Sequence, residues 1–559
     1  MNPHPEKPII VQSDRSILLE VDNPDYESAR DELIRFAELV KSPEHMHTYR
    51  ITPLSLWNAA SSGLSSEYII ARLTQFSRYD VPSNVSRDII EFTNRYGKLK
   101  LTKEQDTLRL ISDDVYLIQE IWHQKTVAPY LIKLLDKKTI LIDPQYRGHI
   151  KQSLIKLGFP VEDLAGYVTG DPLEVSLKTS TQTGNPFYLR HYQQEASDIF
   201  YAGGSVSGGS GVIVLPCGAG KTVVGIGIIA ALKCATLILA TNVVAVRQWI
   251  SELLDKTDIS PDSIGEYSGE MKQIKPITVA TYQILIYRPD VESEFPHFGL
   301  FNKKNWGLII YDEVHLLPAP VFRITAEIQA RRRLGLTATL VREDGKEDEV
   351  FSLIGPKRYD VPWKELEKQG WIATAECHEI RINLPESLRL DYAIGTSRTK
   401  FRIASENPAK FPLIKKLIDR YKTDQVLIIG QYIDQLEQLE QELKVPIITG
   451  KTPNLERERL YTLFKQGKIK ILIVSKVANF AIDLPDANIA IQISGTFGSR
   501  QEEAQRLGRI LRPKPDGTLA HFYTIVTRDS KEQDYAANRQ LFLTEQGYKY
   551  TISDAGDLL

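Results

Sequence analysis

Gly218, Gly220, Lys221 and Thr222 close an apolar run, Val212 to Leu215, in a turn whose residue types suit a bound phosphate. Glycines let backbone N–H groups turn toward an anion with no side chain in the way. Lys221 then reaches the β- and γ-phosphates and Thr222 holds Mg2+. Taken alone, the stretch is also compatible with a plain glycine-rich connection from strand to helix. A second group favours chemistry: Asp312 and Glu313 end a buried-strand pattern, Gly307 to Tyr311, with Asp312 lying 91 residues beyond Lys221. Carboxylates at the C-terminal end of a parallel strand can complete a Mg2+ shell (Asp312) and orient or deprotonate an attacking water (Glu313). Such a pair can also serve as a helix N-cap, but further strand-like runs between the two motifs point to catalysis. Leu334 to Thr339 forms a third strand ending in hydroxyls, with Thr337 and Thr339 able to bond the water-positioning carboxylate. Finally, Gln505 to Arg512 reads as a helix with Arg509 and Arg512 on one face. Arginines so placed neutralise charge on a γ-phosphate, an effect worth roughly 10³–10⁵ in rate. In isolation the same stretch reads as a solvated basic helix.

The elements that position these groups alternate strand and helix. Val223 to Val246 is apolar over the ~20 residues of a membrane span, but Lys233, Thr241 and Asn242 interrupt it. It is read as the helix after the phosphate turn, a break, and a buried strand over Thr236 to Ala240. Asp424 to Ile429 opens another strand-then-helix alternation, so a second α/β lobe is expected from near residue 410. Two lobes imply a cleft, with arginines presented across it.

Upstream, strand-like Pro8 to Gln12 and Ser16 to Val21 precede an amphipathic helix expected over Tyr26 to Val40. Three helices follow, near Leu54 to Ala60, Ser65 to Phe76 and Ser83 to Tyr96. Leu99 to Leu101 and Leu108 to Ile111 then flank a polar turn as a hairpin, giving a winged-helix-like layout that serves DNA or protein contacts. From Val115 to Lys178 a small α/β domain is expected, with strands at Lys138 to Ile142 and Leu173 to Leu177 and a helix over Tyr146 to Leu157. Lys178 to Pro186 reads as a linker, and Gly203 to Gly211 as a surface loop within one domain.

At 559 residues, 42% hydrophobic and 25% charged, the chain has the balance of several globular domains. A net charge of −2 gives no overall basic field, so any nucleic-acid surface must be a local cleft. Cys217, Cys234 and Cys377 lack paired spacing, which argues against a disulfide framework or a zinc site. His45 and His47 lie two apart with no third ligand in view and are read as ordinary polar residues. The first residues lack the apolar core of a signal peptide, so a cytoplasmic, non-membrane protein is expected.

In chain order, Leu189 to Gln193, Leu215 to Thr222, Ala240-Thr241, Val279 to Gln283, Asp312 to His315, Leu336 to Thr339, Ser475 to Pro485 and Gln505 to Arg512 resemble the motifs of superfamily 2 helicases. The particular resemblance is to XPB-type DNA helicases. Gly335 to Gly345 holds that family's Arg-Glu-Asp triplet at Arg342, Glu343 and Asp344, and Phe497 to Lys514 is similar almost throughout. His47 to Trp57 resembles the extra domain of prokaryotic members.

The resemblance implies an α/β fold with two RecA-like parallel-sheet lobes, preceded by a helical, winged-helix-like domain and a small α/β domain. The expected division is 1–110, 111–182 (damage-recognition-like), 183–375 (first lobe) and 376–559 (second lobe, with a short thumb-like insertion near 380–410). It assigns Arg190, Gln193, Leu215, Pro216, Cys217, Gly218, Ala219, Gly220, Lys221, Thr222 and Asp483 to ATP binding, with Gln193 on adenine. Mg2+ would lie on Thr222 and Asp312; Asp312 and Glu313 would drive hydrolysis, with Gln505, Arg509 and Arg512 beside them and the arginines as fingers. His315, Thr337 and Thr339 would couple the site to other loops. Thr241, Arg247, Thr281, Thr449 and Ser475 would grip DNA phosphates, and Arg342, Glu343 and Asp344 would meet DNA near the strand-separating edge. Where the family has Gly-Asp, this chain has Ala478-Asn479, which should spare ATP binding and alter coupling to DNA. The expected activity is an ATP- and Mg2+-dependent DNA helicase or translocase moving 3′→5′, a monomer acting on forked, single- or double-stranded DNA with a nuclease or repair partner. The alternatives are a double-strand translocase without unwinding and a non-motor repair scaffold.

Overall fold

The structure, a computed structural model, describes residues 4–41, 45–104, 107–205, 208–216, 218–290, 293, 295–329, 331–338, 347–361, 363–475, 487–495, 507 and 519–558, the backbone alone at 323, 454, 542, 557 and 558. It divides into two units, Met1–Leu215 with Gly220–Val361, and Pro216–Ala219 with Pro362–Leu559.

The first unit opens with a four-stranded antiparallel sheet of β1 (Ile9–Val11), β2 (Ser16–Glu20), β3 (Glu38–Lys41) and β4 (Met46–Arg50), in the order β1-β2-β4-β3. The helix expected to reach Val40 stops at Leu33, and Glu38–Lys41 becomes a strand instead. Phe36, Ala37 and Leu39 all bury, and β4 supplies the backbone partners that hold Glu38–Lys41 as a strand. Three helices follow, Pro53–Ser61, Ser66–Phe76 and Ser83–Arg95. The first is started by a capping box, Thr52 with Ser55, and by Pro53 in its first turn. The second starts on Ser65, whose side chain accepts from Tyr68 N.

The hairpin read as the wing of those helices belongs elsewhere. Its strands, β5 (Leu99–Glu104) and β6 (Thr107–Ile111), join β7 (Leu131–Asp136), β8 (Thr139–Ile142) and β9 (Val161–Leu164) in the sheet β7-β8-β6-β5-β9. The inward residues Leu99, Leu101, Leu108 and Leu110 share one core with Ile140, Ile142, Ile150 and Leu154, so burial takes the hairpin away from the helices. Helix Arg147–Lys156 lies on this sheet, where Arg147 and Lys151 both bond Asp163. Residues Leu173–Leu177, expected as a strand, form no ladder among the described residues; single bridges join Pro172 to Cys234 and Leu177 to Thr257. Leu173 and Val175 nevertheless bury, which accounts for the alternating pattern.

A seven-stranded parallel sheet completes this unit: β10 (Ser210–Val214), β11 (Thr236–Ala240), β12 (Ile264–Tyr267), β13 (Ile277–Thr281), β14 (Leu308–Asp312), β15 (Arg332–Thr337) and β16 (Lys357–Asp360). Their order is β12-β13-β11-β14-β15-β10-β16. β10, β11 and β13 are buried at every residue, as parallel strands covered on both faces must be. The earlier modules pack on this sheet. Lys357 N, on edge strand β16, donates to Asn58 Oδ1 at 3.0 Å. Trp57, Ile155 and Phe351 form one small core, and a Cβ on Gly148 would meet Ala326 O at 2.4 Å.

The second unit holds another parallel sheet: β17 (Ala375–Ile382), β18 (Val426–Gly430), β19 (Ile447–Ile448), β20 (Ile471–Ser475), β21 (Ile489–Gln492), β22 (Ala520–Thr527) and β23 (Tyr550–Asp554), in the order β19-β20-β18-β21-β22-β17-β23. This lobe begins earlier than residue 410, because β17 lies between β22 and β23. Helices Glu386–Ile394 and Ser397–Ser405 occupy the stretch read as a thumb-like insertion.

Candidate nucleotide site

The glycine turn follows β10. Gly218 and Gly220 have φ of +81° and +82°, a region other residues enter only with strain. Gly220 is the N-cap of helix Lys221–Leu232, and a Cβ there would fall 2.5 Å from Gln193 Nε2. Gln193 is itself fixed, its Oε1 accepting from Arg190 N at 3.0 Å, while Arg190 Nη1 donates to Tyr192 OH at 3.2 Å. The helix therefore presents its first N–H groups, its positive dipole end and Lys221 at the end of β10. Gly225, one turn on, admits the Trp249 ring: a Cβ would sit 2.6 Å from Cη2.

Trp249 was not singled out from the sequence, and it links the turn to the acids. Its Nε1 donates to Asp312 Oδ2 at 2.9 Å, while Asp312 Oδ1 accepts from Glu313 N at 3.0 Å and its carbonyl from Tyr282 OH at 2.9 Å. Glu313 follows with φ 47° and ψ 56°, a left-handed backbone costing a non-glycine residue about 1–3 kcal/mol. That twist aims its two oxygens differently: Oε1 lies 3.4 Å from Lys221 Nζ and Oε2 lies 3.5 Å from His315 Nδ1. His315 Nδ1 is also hydrogen-bonded to Thr337 Oγ1 at 2.7 Å. Lys221, Glu313, His315 and Thr337 thus form one continuous polar line through the ends of three neighbouring strands, β10, β14 and β15.

Burial first, and the like charge of Glu313 second, push the Asp312 carboxyl up to about 6. A divalent cation suits this pair, since it offsets both causes, and Thr222 stands second in the helix that starts at the turn.

The other sequence-predicted residues divide clearly. Thr281 ends β13 opposite Ala240, and Thr241 is the residue just after β11. Thr241 Oγ1 accepts from Asn242, and buried Thr281 caps helix Tyr282–Leu285 through Ile284 N. Arg247 is exposed and held by Glu270 at 2.6 Å and Glu266 at 3.7 Å. In the second unit Thr449 follows β19 and buried Ser475 ends β20, and Thr449 Oγ1 accepts from Lys451 N. Cys217, Thr339, Arg342, Glu343, Asp344, Ala478, Asn479, Asp483, Gln505, Arg509 and Arg512 lie outside the described residues. Of the residues missed, Tyr282 lies in the quoted stretch Val279 to Gln283, whereas Trp249 had only its place in the helix after Thr241-Asn242.

No helix among the described residues is long and apolar enough to cross a membrane. Residues 366–556 match the family described as ERCC3/RAD25/XPB C-terminal helicase, 186–342 match type III restriction enzyme, res subunit, and 9–136 match a helicase conserved C-terminal domain. The DNA 3'-5' helicase XPB of Mycobacterium tuberculosis is 52% identical over 99% of this chain and 98% of its own length. That of Kineococcus radiotolerans is also 52% identical, over 99% and 97%. The general transcription and DNA repair factor IIH helicase/translocase subunit XPB of Enterocytozoon bieneusi is 33% identical over 99% and 93%. Near full-length identity at this level, joined to the ordered site motifs, means that the chain belongs to the XPB family of DNA helicases.

Proposed function

We propose that this chain is an ATP-dependent DNA helicase or translocase whose hydrolytic site is built on Lys221, Asp312 and Glu313, and which moves 3′→5′ or opens DNA. The observation that carries this reading is the line from Lys221 through Glu313 and His315 to Thr337, which ties a phosphate cradle to a carboxylate and then to a neighbouring strand end. In this reading Lys221 and the first N–H groups of its helix hold the β- and γ-phosphates, and Gln193, with Arg190 beside it, meets the adenine. Glu313 orients the attacking water and takes its proton. Asp312 and Thr222 would hold Mg2+, which supplies charge neutralisation at the phosphates. Trp249 and Tyr282 fix the Asp312 end of the strand. His315 and Thr337 report the state of Glu313 onward. Arg509 and Arg512, with Gln505 beside them, are assigned to the γ-phosphate and Asp483 to ATP binding by the family resemblance.

DNA contact is assigned to Thr241, Thr281, Thr449 and Ser475, which lie at strand ends as phosphate-gripping groups of a sequence-neutral motor would. Arg247, and Arg342 with its two acidic neighbours, complete that set. Residues before about 182 form accessory modules that recruit DNA or a repair partner, and the working unit is a cytoplasmic monomer.

Steady-state ATP turnover of the wild type and Lys221→Ala, with and without forked DNA, tests this reading. DNA-stimulated turnover that vanishes in the variant, with unchanged circular dichroism, is the expected result. Turnover of Lys221→Ala at the wild-type rate would remove the site, and absence of DNA stimulation would favour a scaffold. The Ala478-Asn479 departure favours a second reading, translocation on duplex without unwinding; triplex displacement without fork opening would establish it.

A further inference from the structure

Glu376, His378 and His521 stand on one face of the second sheet, in the N-terminal halves of β17 and β22. Strand geometry puts them together: residues two apart on β17 share a face, and the parallel register sets Glu376 opposite His521. Three donor atoms form a nearly equilateral triangle. His378 Nε2 lies 3.4 Å from His521 Nδ1, Glu376 Oε2 lies 3.6 Å from His378 Nε2, and the same oxygen lies 3.5 Å from His521 Nδ1. Zinc bonds of about 2.0–2.1 Å in tetrahedral array separate neighbouring donors by about 3.3–3.5 Å. The triangle has the size of one face of that tetrahedron.

We propose that Glu376, His378 and His521 form a binding site for a divalent transition ion of the zinc class, with its fourth position open to solvent. Two imidazoles and one carboxylate suit such an ion better than Mg2+ or Ca2+, which take oxygen donors. The rings are held in place before any ion arrives. Tyr523 stacks on His378 at 4.6 Å with planes 16° apart, Tyr421 lies 5.4 Å from His521, and the two tyrosine hydroxyls bond at 2.6 Å. The charges around the imidazoles are mixed: Arg420 opposes a cation and Asp424 favours it. The C-terminus of helix Lys410–Arg420, capped at Tyr421, adds its negative end. Cysteine spacing could not show such a site, because it is assembled by pairing strands 143 residues apart.

The site occupies the N-terminal halves of its strands, whereas Thr449 and Ser475 lie at the C-terminal ends of theirs, at the opposite edge of the sheet. Full-length protein stripped of metal is titrated with Zn2+ against a chromogenic chelator in excess Mg2+. One tight equivalent is expected for the wild type, lost in His378→Ala and His521→Ala. Because Glu376 is half exposed, Glu376→Gln keeps the fold and should bind more weakly. Zn2+ should raise Tm in the wild type and less in Glu376→Gln, and Co2+ should give the visible absorption of a four-coordinate ion only with all three ligands present. Equal zinc stoichiometry and affinity in the wild type and all three variants would overturn the proposal, as would no tight equivalent in the wild type. Neither result touches the ATP turnover test of Lys221.

Discussion

The indole N–H of Trp249 donates to the Asp312 carboxylate at 2.9 Å, joining a helix to the acid at the end of β14, 63 residues away. This bond favours the charged form of an acid that burial and Glu313 push the other way. Trp249→Phe should therefore raise the Asp312 pKa. If ionised Asp312 is needed for turnover, the acid limb of the pH profile for kcat/KM moves to higher pH. The loss at low pH should be about ten-fold or more, in line with about 1.5–3 kcal/mol for a bond to a charged group. An unshifted acid limb would separate Trp249 from Asp312 chemistry.

Asp312→Asn tests the same environment through stability. The folded-state pKa of about 6 stands above the ordinary carboxyl value of 3.8, so ionisation works against folding. Asp312 costs stability as pH rises from about 4 through about 6, and the full cost is present at pH 7. In the absence of nucleotide, the variant should melt higher than wild type at pH 7, by about 1–2 kcal/mol after allowance for partial exposure, and equally at pH 4. ATP turnover should be lost. A lower Tm at pH 7 would contradict this account of the acid.

Gly220→Ala adds a methyl to a left-handed residue and drives it toward Gln193 Nε2. The backbone cost is about 1–2 kcal/mol, and relieving it reshapes the phosphate turn. Affinity for a fluorescent ATP analogue should fall at least 10-fold, while circular dichroism stays the same. Unchanged affinity would mean that the turn does not touch nucleotide.

His315→Ala and Thr337→Val cut the polar line beyond Glu313 while leaving Lys221 and Asp312 in place. Both should keep measurable basal ATP turnover and lose most of its stimulation by DNA. Equal loss of basal and stimulated rates would assign these residues to hydrolysis itself.

Arg342→Ala should reduce fork unwinding more than ATP hydrolysis, measured side by side. Parallel loss of the two activities would contradict a DNA-facing role.

Much of the candidate nucleotide site could be read in the sequence because its parts are local. Gly220-Lys221-Thr222 and Asp312-Glu313 each sit where a buried strand ends, and a run such as Thr236–Ala240 can hardly be anything but a central strand. Trp249 could not be read that way, since nothing in its own helix records which acid its indole meets. The same limit hid His378 and His521, whose contact depends on strand register. It also misplaced the hairpin β5–β6, because local turn chemistry fixes the pairing of the two strands but not the sheet they join. Residues 34–41 went wrong for another reason: Phe36 and Leu39 fit a helix face equally well, and β4 decided the matter by offering an edge.

The bond from Lys357 N to Asn58 Oδ1 carries a further consequence. β16 ends its sheet, and an uncovered outer strand is a template on which other copies can pair. By seating helix Pro53–Ser61 against that margin, the leading modules act as a guard rail. A chain trimmed to its motor portion should be prone to self-association even with every nucleotide contact intact.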